Sequence, residues 1–222
     1  MQERDTREAR PVLLPRREPR QARSWQIVEA VQQACMRILD EEGPEALTTN
    51  RIAEVAGVGI ASLYRYFPNK ESILGQVFEE QLALENQAHL ERWERGEELE
   101  ALSLRDKIRV LVDINADHHL RQLALAPDFY RGYLDHLDLT RRARPDRPLS
   151  WKESAEIWLH RALEQHEGEH DVEDCATTAF LITRALFGAI RSAVEERPEL
   201  IDGEDFRRDL VEMAMRSISA SE

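Results

Sequence analysis

The amino-acid sequence predicts an all-α fold of about nine helices. Apolar residues recur at intervals of three and four along most of the chain, which is typical of helices that bury one face. No segment alternates apolar and polar residues over the length of a strand. Prolines and glycines separate the periodic segments, where they end helices.

The first helix is predicted to begin near Trp25 and to end at Gly43-Pro44. Two short helices follow over 48–56 and 60–66, with Gly57 in the turn between them. Residues 1–23 are arginine-rich, contain three prolines and lack an apolar period, so they predict a disordered basic arm. Further helices are predicted over 70–95, 103–125, 127–139, 150–167, 171–196 and 203–219.

The composition narrows the class of protein. With 222 residues, of which 42% are hydrophobic and 33% charged, the chain can form a hydrophobic core under a heavily charged surface. No apolar run approaches the roughly 20 residues that cross a bilayer, and the N-terminus lacks the apolar core of a secretory signal. Cys35 and Cys175 lie far apart, so no disulfide framework is expected. These features favour a cytoplasmic protein without a membrane partner.

Residues 48–67 have the physical parts of a helix-turn-helix. Gly57 follows the first motif helix at the position that favours a left-handed backbone. The second motif helix is short, which suits insertion of its N-terminal end into the DNA major groove. The residues expected to face inward are Ile52, Ala53, Ala56, Leu63 and Phe67.

Residues 24–84, and above all Leu47–Leu74, resemble the N-terminal domain of the TetR/AcrR family of repressors. The similarity lies in Thr-Thr-Asn-Arg-Ile-Ala-Glu-Val-Ala-Gly-Val and in Ser-Leu-Tyr-Arg-Tyr-Phe-Pro-Asn-Lys-Glu, and it covers about a quarter of the chain. It implies a DNA-binding domain over 24–84 and an effector-binding, dimerising helical domain over 85–222. The implied function is a sequence-specific transcription regulator, a repressor released from a pseudo-palindromic operator in double-stranded DNA by a small-molecule effector.

The resemblance also implies roles for individual residues. Thr48, Thr49, Tyr64 and Lys70 match positions that contact DNA phosphates. Each has a structural alternative: helix capping for the threonines, a solvated lysine, and packing on the first helix for a tyrosine, above all for Tyr66. The predicted DNA-binding residues are Thr48, Thr49, Asn50, Arg51, Ile60, Ala61, Ser62, Tyr64, Arg65, Tyr66 and Lys70.

One position departs from the family pattern. Gly59 stands where many members have a serine that caps the recognition helix. The leading side chains, Ile60 and Ala61, offer no hydrogen bonds to bases. Base reading is therefore expected to depend on thymine methyl groups, Ser62, and Arg65 or DNA shape.

The net charge of −13 is unevenly distributed. Residues 1–70 contain 11 Lys/Arg against 10 Asp/Glu, so the acidic excess lies in the remainder. Because phosphate binding depends on local basic groups, this balance is compatible with DNA as a partner. The basic arm is either a solubilising tail or an additional contact to DNA.

The C-terminal half is compatible with a dimer and an effector pocket. Helix 171–196 is apolar on two faces, which predicts burial against both the domain core and a partner subunit, or deep burial in a monomer. Residues predicted at the dimer interface are Ile182, Ala185, Ala189, Ala193, Phe206, Leu210 and Met213. The pocket candidates, whose alternative is an ordinary core, are Trp93, Ile108, Leu111, Asn115, His118, Phe129, Tyr133, Trp151 and Trp158.

No nucleophile–base pair or phosphate loop is recognisable, so no catalytic residue and no cofactor is expected. His166 and His170 are separated by the helix breaker Gly168, and no third ligand is evident, so no metal site is expected. Two alternatives to a repressor remain. One is a small-molecule-binding or enzymatic helical protein that keeps the motif only as structure, and the other is a transcription activator.

Overall fold

We analysed the protein as a computed structural model, which describes residues 16, 19, 21–81, 101–134 and 151–219. Within these ranges there are nine α-helices and no strand, which confirms the predicted fold class. The chain forms two compact units. The first comprises Met1–Ala83 with Leu125–Phe129, and the second comprises Leu84–Ala124 with Tyr130–Glu222.

The first unit contains four helices: α1 (Ala22–Glu41), α2 (Thr49–Val55), α3 (Ile60–Tyr66) and α4, described over residues 70–81. The 3₁₀ turn Pro44–Ala46 connects α1 to α2. α1 begins three residues earlier than predicted, within the stretch assigned to the arm. It starts there because the Gln21 amide donates to Ser24 Oγ over 3.0 Å, which satisfies one of the free amides of a helix start.

The core of the first unit joins α1 to the two short helices. Val31, Cys35 and Ile38 on α1 are fully buried. They provide the apolar support that helices of seven residues need, because such short helices are marginal by themselves. The residues buried with them from the rest of the unit include Leu47, Ile52, Leu63, Phe67, Ile73 and Phe78.

The second unit contains α5 (Leu104–Leu125) as far as Ala124 and α6 (Pro127–Tyr133) from Tyr130 onward. It also contains α7 (Trp151–Gln165), α8 (Cys175–Glu196) and α9 (Glu204–Ile218). The unit boundary falls within the α5–α6 segment, and the 3₁₀ turn Pro198–Leu200 precedes α9. α8 packs along α7 and also contacts α9. The predicted ends of α6 and of the helix after residue 70 lie outside the described residues.

A buried arginine ties α9 to α5. Arg207 donates to Asp113 Oδ1 over 3.2 Å, to Asp117 Oδ1 over 2.7 Å and to the carbonyl oxygen of Ile201 over 3.1 Å. The two aspartates lie four residues apart, so they share one face of α5. Arg109 on the same helix extends the network to Asp113 and Glu204.

Candidate DNA-binding surface and buried polar face

The turn between α2 and α3 is fixed by local chemistry. Thr48 caps α2, since its Oγ1 accepts a hydrogen bond of 3.1 Å from the Arg51 amide. Gly57 has a φ of 65°, the left-handed conformation that glycine adopts without strain. The Val58 amide then bonds the carbonyl of Ala53 over 3.0 Å and turns the chain toward α3. The motif thus has the helix-turn-helix geometry that the sequence predicts.

The recognition helix α3 has one buried and one exposed side. Leu63 is fully buried, whereas Ile60, Ala61, Tyr64 and Arg65 face solvent. Ser62 is half-buried, and Gly59 starts the helix without a side-chain hydrogen bond. The exposed side therefore presents apolar surface, one hydroxyl and one guanidinium.

The hydroxyl of Tyr64 lies 3.0 Å from Thr49 Oγ1. This hydrogen bond links α3 to the start of α2 and holds the Tyr64 ring, which is 41% exposed, in place. Two hydroxyls in contact share one proton between them, so the other proton remains available to an external acceptor. The pair can therefore donate to a phosphate oxygen without losing its internal bond.

Tyr66 differs from the prediction that grouped it with the DNA contacts. Its side chain is only 6% exposed, so burial favours the alternative of packing within the unit. The Arg16 amide donates to its backbone carbonyl over 2.7 Å. Tyr66 and Leu63 are three residues apart on one helix face, which places both in the core.

Arg51 is already engaged by carboxylates. Its guanidinium contacts Glu42 at 3.1 and 2.7 Å and Glu54 at 3.0 Å. The hydrogen bonds from Arg51 lower the pKa of Glu42, and the same bonds raise the pKa of Arg51, so both groups stay charged at neutral pH. Its predicted phosphate contact requires release of the Glu42 carboxylate.

The remaining predicted contacts are accessible. Asn50 is exposed on α2. Lys70 at the start of α4 is exposed, and its Nζ lies 3.4 Å from the carbonyl of Leu47, a long hydrogen bond. Both positions therefore remain compatible with DNA contact.

In the second unit, one face of α5 carries buried polar side chains: Asn115, His118, His119 and Gln122. Among the described residues, Asn115 Oδ1 and Gln122 Oε1 have no hydrogen-bond partner. A buried carbonyl oxygen without a hydrogen bond costs about 1–3 kcal/mol, so such atoms indicate a site where another molecule donates the missing hydrogen bond. The predicted pocket residues Ile108 and Leu111 continue this face and are fully buried.

His119 is uncharged in this setting. Its Nδ1 lies 2.7 Å from the hydroxyl of Tyr130 on α6. Burial, with smaller contributions from the nearby His118, Arg191 and Lys152, lowers the pKa of His119 to about 3. His118 is among the predicted pocket residues, whereas His119 and Gln122 are not. The interval of four from His118 to Gln122 was the signal that could have identified Gln122.

The structure does not bring the aromatic pocket candidates together on this face of α5. Phe129 belongs to the first unit, where its ring lies 5.4 Å from that of Phe78, so the grouping with α5 is corrected. Tyr133 and Trp158 are half-buried in the second unit. Trp93 and the side chain of Trp151 lie outside the described residues.

The surface of α8 and α9 refines the predicted interface. Ile182, Ala193 and Leu210 are buried within the protomer, so they belong to its core and are corrected accordingly. Ala185 and Met213 are exposed, and Ala189 and Phe206 are half-buried. Two large apolar residues outside the predicted interface, Phe180 and Leu181, are exposed, Leu181 to 59%.

The histidines weighed as metal ligands have other partners. His166 lies 3.1 Å from Lys107 Nζ and 3.1 Å from Glu169. His170 Nδ1 accepts the Val172 amide, and its Nε2 lies 3.0 Å from the Leu163 carbonyl. No group of three or more potential ligands occurs within the ranges that the structure describes.

Comparison with known proteins shows which sequences this helix-turn-helix resembles. The sequence profile of bacterial regulatory proteins, tetR family, matches residues 33–77. An HTH-type transcriptional regulator of Staphylococcus aureus is 33% identical over 54 residues, which are 24% of this chain and 29% of that protein. Residues 33–77 therefore resemble bacterial regulatory proteins of the tetR family, and the chain spans less than a third of the length of the curated relatives it matches.

Solved structures extend the likeness to both units. RolR in complex with resorcinol has a TM-score of 0.57 at 16% identity, and the match covers 90% of each chain. A transcriptional regulator from Cytophaga hutchinsonii has a TM-score of 0.56 at 18% identity, over 87% of this chain and 98% of its own. At these identities the likeness establishes the all-α fold. In the part of the chain described here, no helix has the length and hydropathy to cross a bilayer.

Proposed function

We propose that the protein is a cytoplasmic, sequence-specific DNA-binding transcription regulator, a repressor that a small-molecule effector releases from its operator. The observation that carries this proposal is the exposed side of α3, where the Tyr64 hydroxyl is held by Thr49. A rigid hydroxyl next to an exposed recognition helix suits a phosphate that flanks the major groove.

DNA recognition divides between phosphate anchors and groove contacts. The Thr49–Tyr64 pair and Lys70 contact the phosphate backbone of the DNA. The Thr48 oxygen caps α2, and its hydroxyl proton remains available for donation to a phosphate. Ile60 and Ala61 enter the groove and contact thymine methyl groups. Specificity therefore depends on methyl contacts, Ser62, Arg65 and DNA shape.

The DNA-binding unit is a dimer of two copies of this chain. The exposed apolar side chains of α8 and α9, Phe180, Leu181 and Met213, form a surface that we define as the α8–α9 patch, with Ala185 beside them. A twofold dimer through this patch pairs two recognition helices, which the repeat of DNA places about 34–36 Å apart. Each half then reads one half of a pseudo-palindromic operator.

The effector acts through differential affinity. It binds the buried polar face of α5 more tightly in the dimer state whose recognition helices do not match the DNA repeat. By linkage, operator DNA weakens effector binding by the same factor. The unpartnered oxygens of Asn115 and Gln122 support this location.

In vitro selection from random double-stranded DNA tests the function. Full-length protein at physiological salt is expected to enrich a site with two inverted half-sites about one helical turn apart. A shuffled version of that site serves as the control, and its affinity should be at least about 10³-fold lower. If repeated selection enriches no inverted repeat, the protein is not a sequence-specific regulator.

That outcome would favour the alternative of a helical small-molecule-binding or enzymatic protein that keeps the motif only as structure. The choice between repressor and activator needs a transcription assay. With purified polymerase and a promoter that contains the selected site, added protein is expected to lower transcript yield. An increase in yield identifies an activator.

A further inference from the structure

We propose that the buried polar face of α5 binds an uncharged ligand that carries a hydroxyl or amide hydrogen-bond donor at each end. Asn115 and Gln122 accept the two hydrogen bonds. This inference rests on the proposed function, because it gives the chemical class of the effector.

The two orphaned oxygens define what the ligand donates. Asn115 Oδ1 and Gln122 Oε1 are carbonyl oxygens, which only accept hydrogen bonds. Neither finds a donor among the described residues, and the two side chains are 6% and 1% exposed. A ligand that completes them must therefore present O–H or N–H groups.

Their separation along the helix defines the ligand's length. Seven residues divide Asn115 from Gln122, which is two turns and about 10 Å along the axis of α5. His118 lies between them on the same face. A single hydroxyl cannot reach both oxygens, so the two donors sit at opposite ends of one molecule.

The charges around this face exclude a cation. Arg191 on α8 and Lys152 on α7 lie close enough to His119 to disfavour its protonation. The acidic residues Asp113 and Asp117 are two positions away from Asn115, nearly opposite on the helix, and both are held by Arg207. A cationic ligand here would lie near two positive charges, and neither aspartate is on this face to offset them.

An anion does not satisfy the two orphaned oxygens. A carboxylate or phosphate oxygen has no proton to give to Asn115 Oδ1 or Gln122 Oε1, so both carbonyls would stay unpaired beside it. The remaining class is an uncharged molecule with donors at both ends and an apolar centre. Such a centre suits the fully buried Ile108 and Leu111 on the same helix.

Calorimetry and thermal unfolding of the full-length protein test the ligand class. The probes are biphenyl with a para-hydroxyl on each ring, heptane with a hydroxyl at each end, the dimethyl ether of each, and heptane with an ammonium at each end. At least one diol is expected to bind and raise Tm. Its ether should bind at least about tenfold more weakly, because each lost hydrogen bond contributes on the order of 1 kcal/mol. The diammonium should not bind.

Two substitutions locate the binding. Asn115→Leu and Gln122→Met replace the amides with apolar side chains of similar size. Both are expected to keep or raise the Tm of the ligand-free protein, because they remove orphaned acceptors. Each should weaken diol binding about tenfold. Gln76→Met in the first unit, where the amide already bonds Glu79, is the control and should leave diol binding unchanged.

Four results would overturn the inference. They are no binding by either diol, equal binding of diol and ether, diol binding that survives both substitutions, and a Tm that falls in both variants. If the diols neither bind nor change the Tm of the protein, water alone donates hydrogen bonds to these oxygens. Operator selection on the same protein separates the two proposals. An operator without diol binding rejects only the ligand class, and diol binding without an operator rejects the regulator.

Discussion

A hydroxyl pair between two helices is the smallest unit on which the proposed DNA contact depends. The exposed position of Tyr64 could be predicted, because Leu63 and Phe67 occupy the inward face of the motif. Its partner Thr49 could not, since the two residues are 15 positions apart and meet only when α2 and α3 cross. The same crossing buries Tyr66, which the pattern of alternating tyrosines could not distinguish from Tyr64.

Tyr64→Phe is expected to weaken operator binding about five- to tenfold, because it removes one hydrogen bond to phosphate of about 1–1.5 kcal/mol. Stability should change by less than about 0.5 kcal/mol, since the hydroxyl is at the surface. Fluorescence anisotropy at fixed salt and urea unfolding give the two quantities. Tyr66→Ala is the matched contrast: it should cost about 3–5 kcal/mol of stability as a buried aromatic is lost. Equal operator affinity for Tyr64→Phe and wild type would contradict the phosphate role.

Glu42→Gln is expected to raise DNA affinity several-fold, because it removes one of the two carboxylates that compete with a phosphate for Arg51. One more phosphate contact should steepen the slope of log affinity against log salt by about 0.9. The measurement is an anisotropy titration at several salt concentrations. Glu41→Gln is the control, since Glu41 pairs with Arg37 and not with Arg51. If both variants give the wild-type slope, Arg51 does not reach the DNA.

At the scale of elements, α5 carries two kinds of chemistry on opposite faces. Its outer face holds Asp113 and Asp117 against Arg207, and its inner face holds the orphaned amides. Periodicity identified Asn115 and His118 as polar breaks in an apolar stripe. It could not show that the Gln122 side chain lacks a hydrogen-bond partner, because that depends on which donors the neighbouring helices bring close to it.

The sequence-based assignments that were wrong concern residues whose burial depends on contacts between helices. α8 is apolar on two faces, and its sequence alone does not tell which face meets α7 and α9. Ile182 therefore proved to be core, whereas Phe180 and Leu181 are exposed. Phe129 follows α5 in the chain but packs on Phe78 in the first unit. The helices themselves were predictable, since they follow from local spacing and from glycine and proline breaks.

The buried His119 predicts a pH dependence of stability. Its pKa is about 3 in the folded protein and 6.5 as the ordinary value, so the unfolded chain binds a proton that the native state does not. The stabilisation is complete above about pH 6.5 and is lost as the pH falls toward 3, with a slope of about 1.4 kcal/mol per unit. His119→Gln should show a shallower loss over this range in urea unfolding at stepped pH. Parallel curves for variant and wild type would mean that His119 is not buried uncharged.

At the scale of the whole molecule, charge and assembly act together. The acidic excess lies outside residues 1–70, so the DNA-binding end is the part that approaches phosphate with the least repulsion. A single helix-turn-helix with a plain reading surface binds weakly. In the proposed dimer, two of them at a fixed spacing gain both affinity and specificity, which compensates for the few polar base contacts.

Leu181→Glu is expected to convert the proposed dimer to monomers, because it places a charge in the α8–α9 patch. Operator affinity should fall at least about 100-fold, since each half-site is then bound separately. Sedimentation equilibrium and anisotropy measure the two effects. Ile157→Glu is the control: Ile157 is an exposed apolar residue on α7, outside the patch, and its variant should stay dimeric. A dimeric Leu181→Glu protein would move the interface elsewhere.

The division of α5 into two faces also bears on how such a chain can change. Substitutions at positions 115, 118 and 122 alter what the inner face accepts but leave the Arg207 bonds to Asp113 and Asp117 in place. Ligand preference can then diverge through a few substitutions while the attachment of α9 is inherited unchanged. For engineering of the proposed sensor, a small library at these three positions samples new inducers while the Arg207 network stays intact.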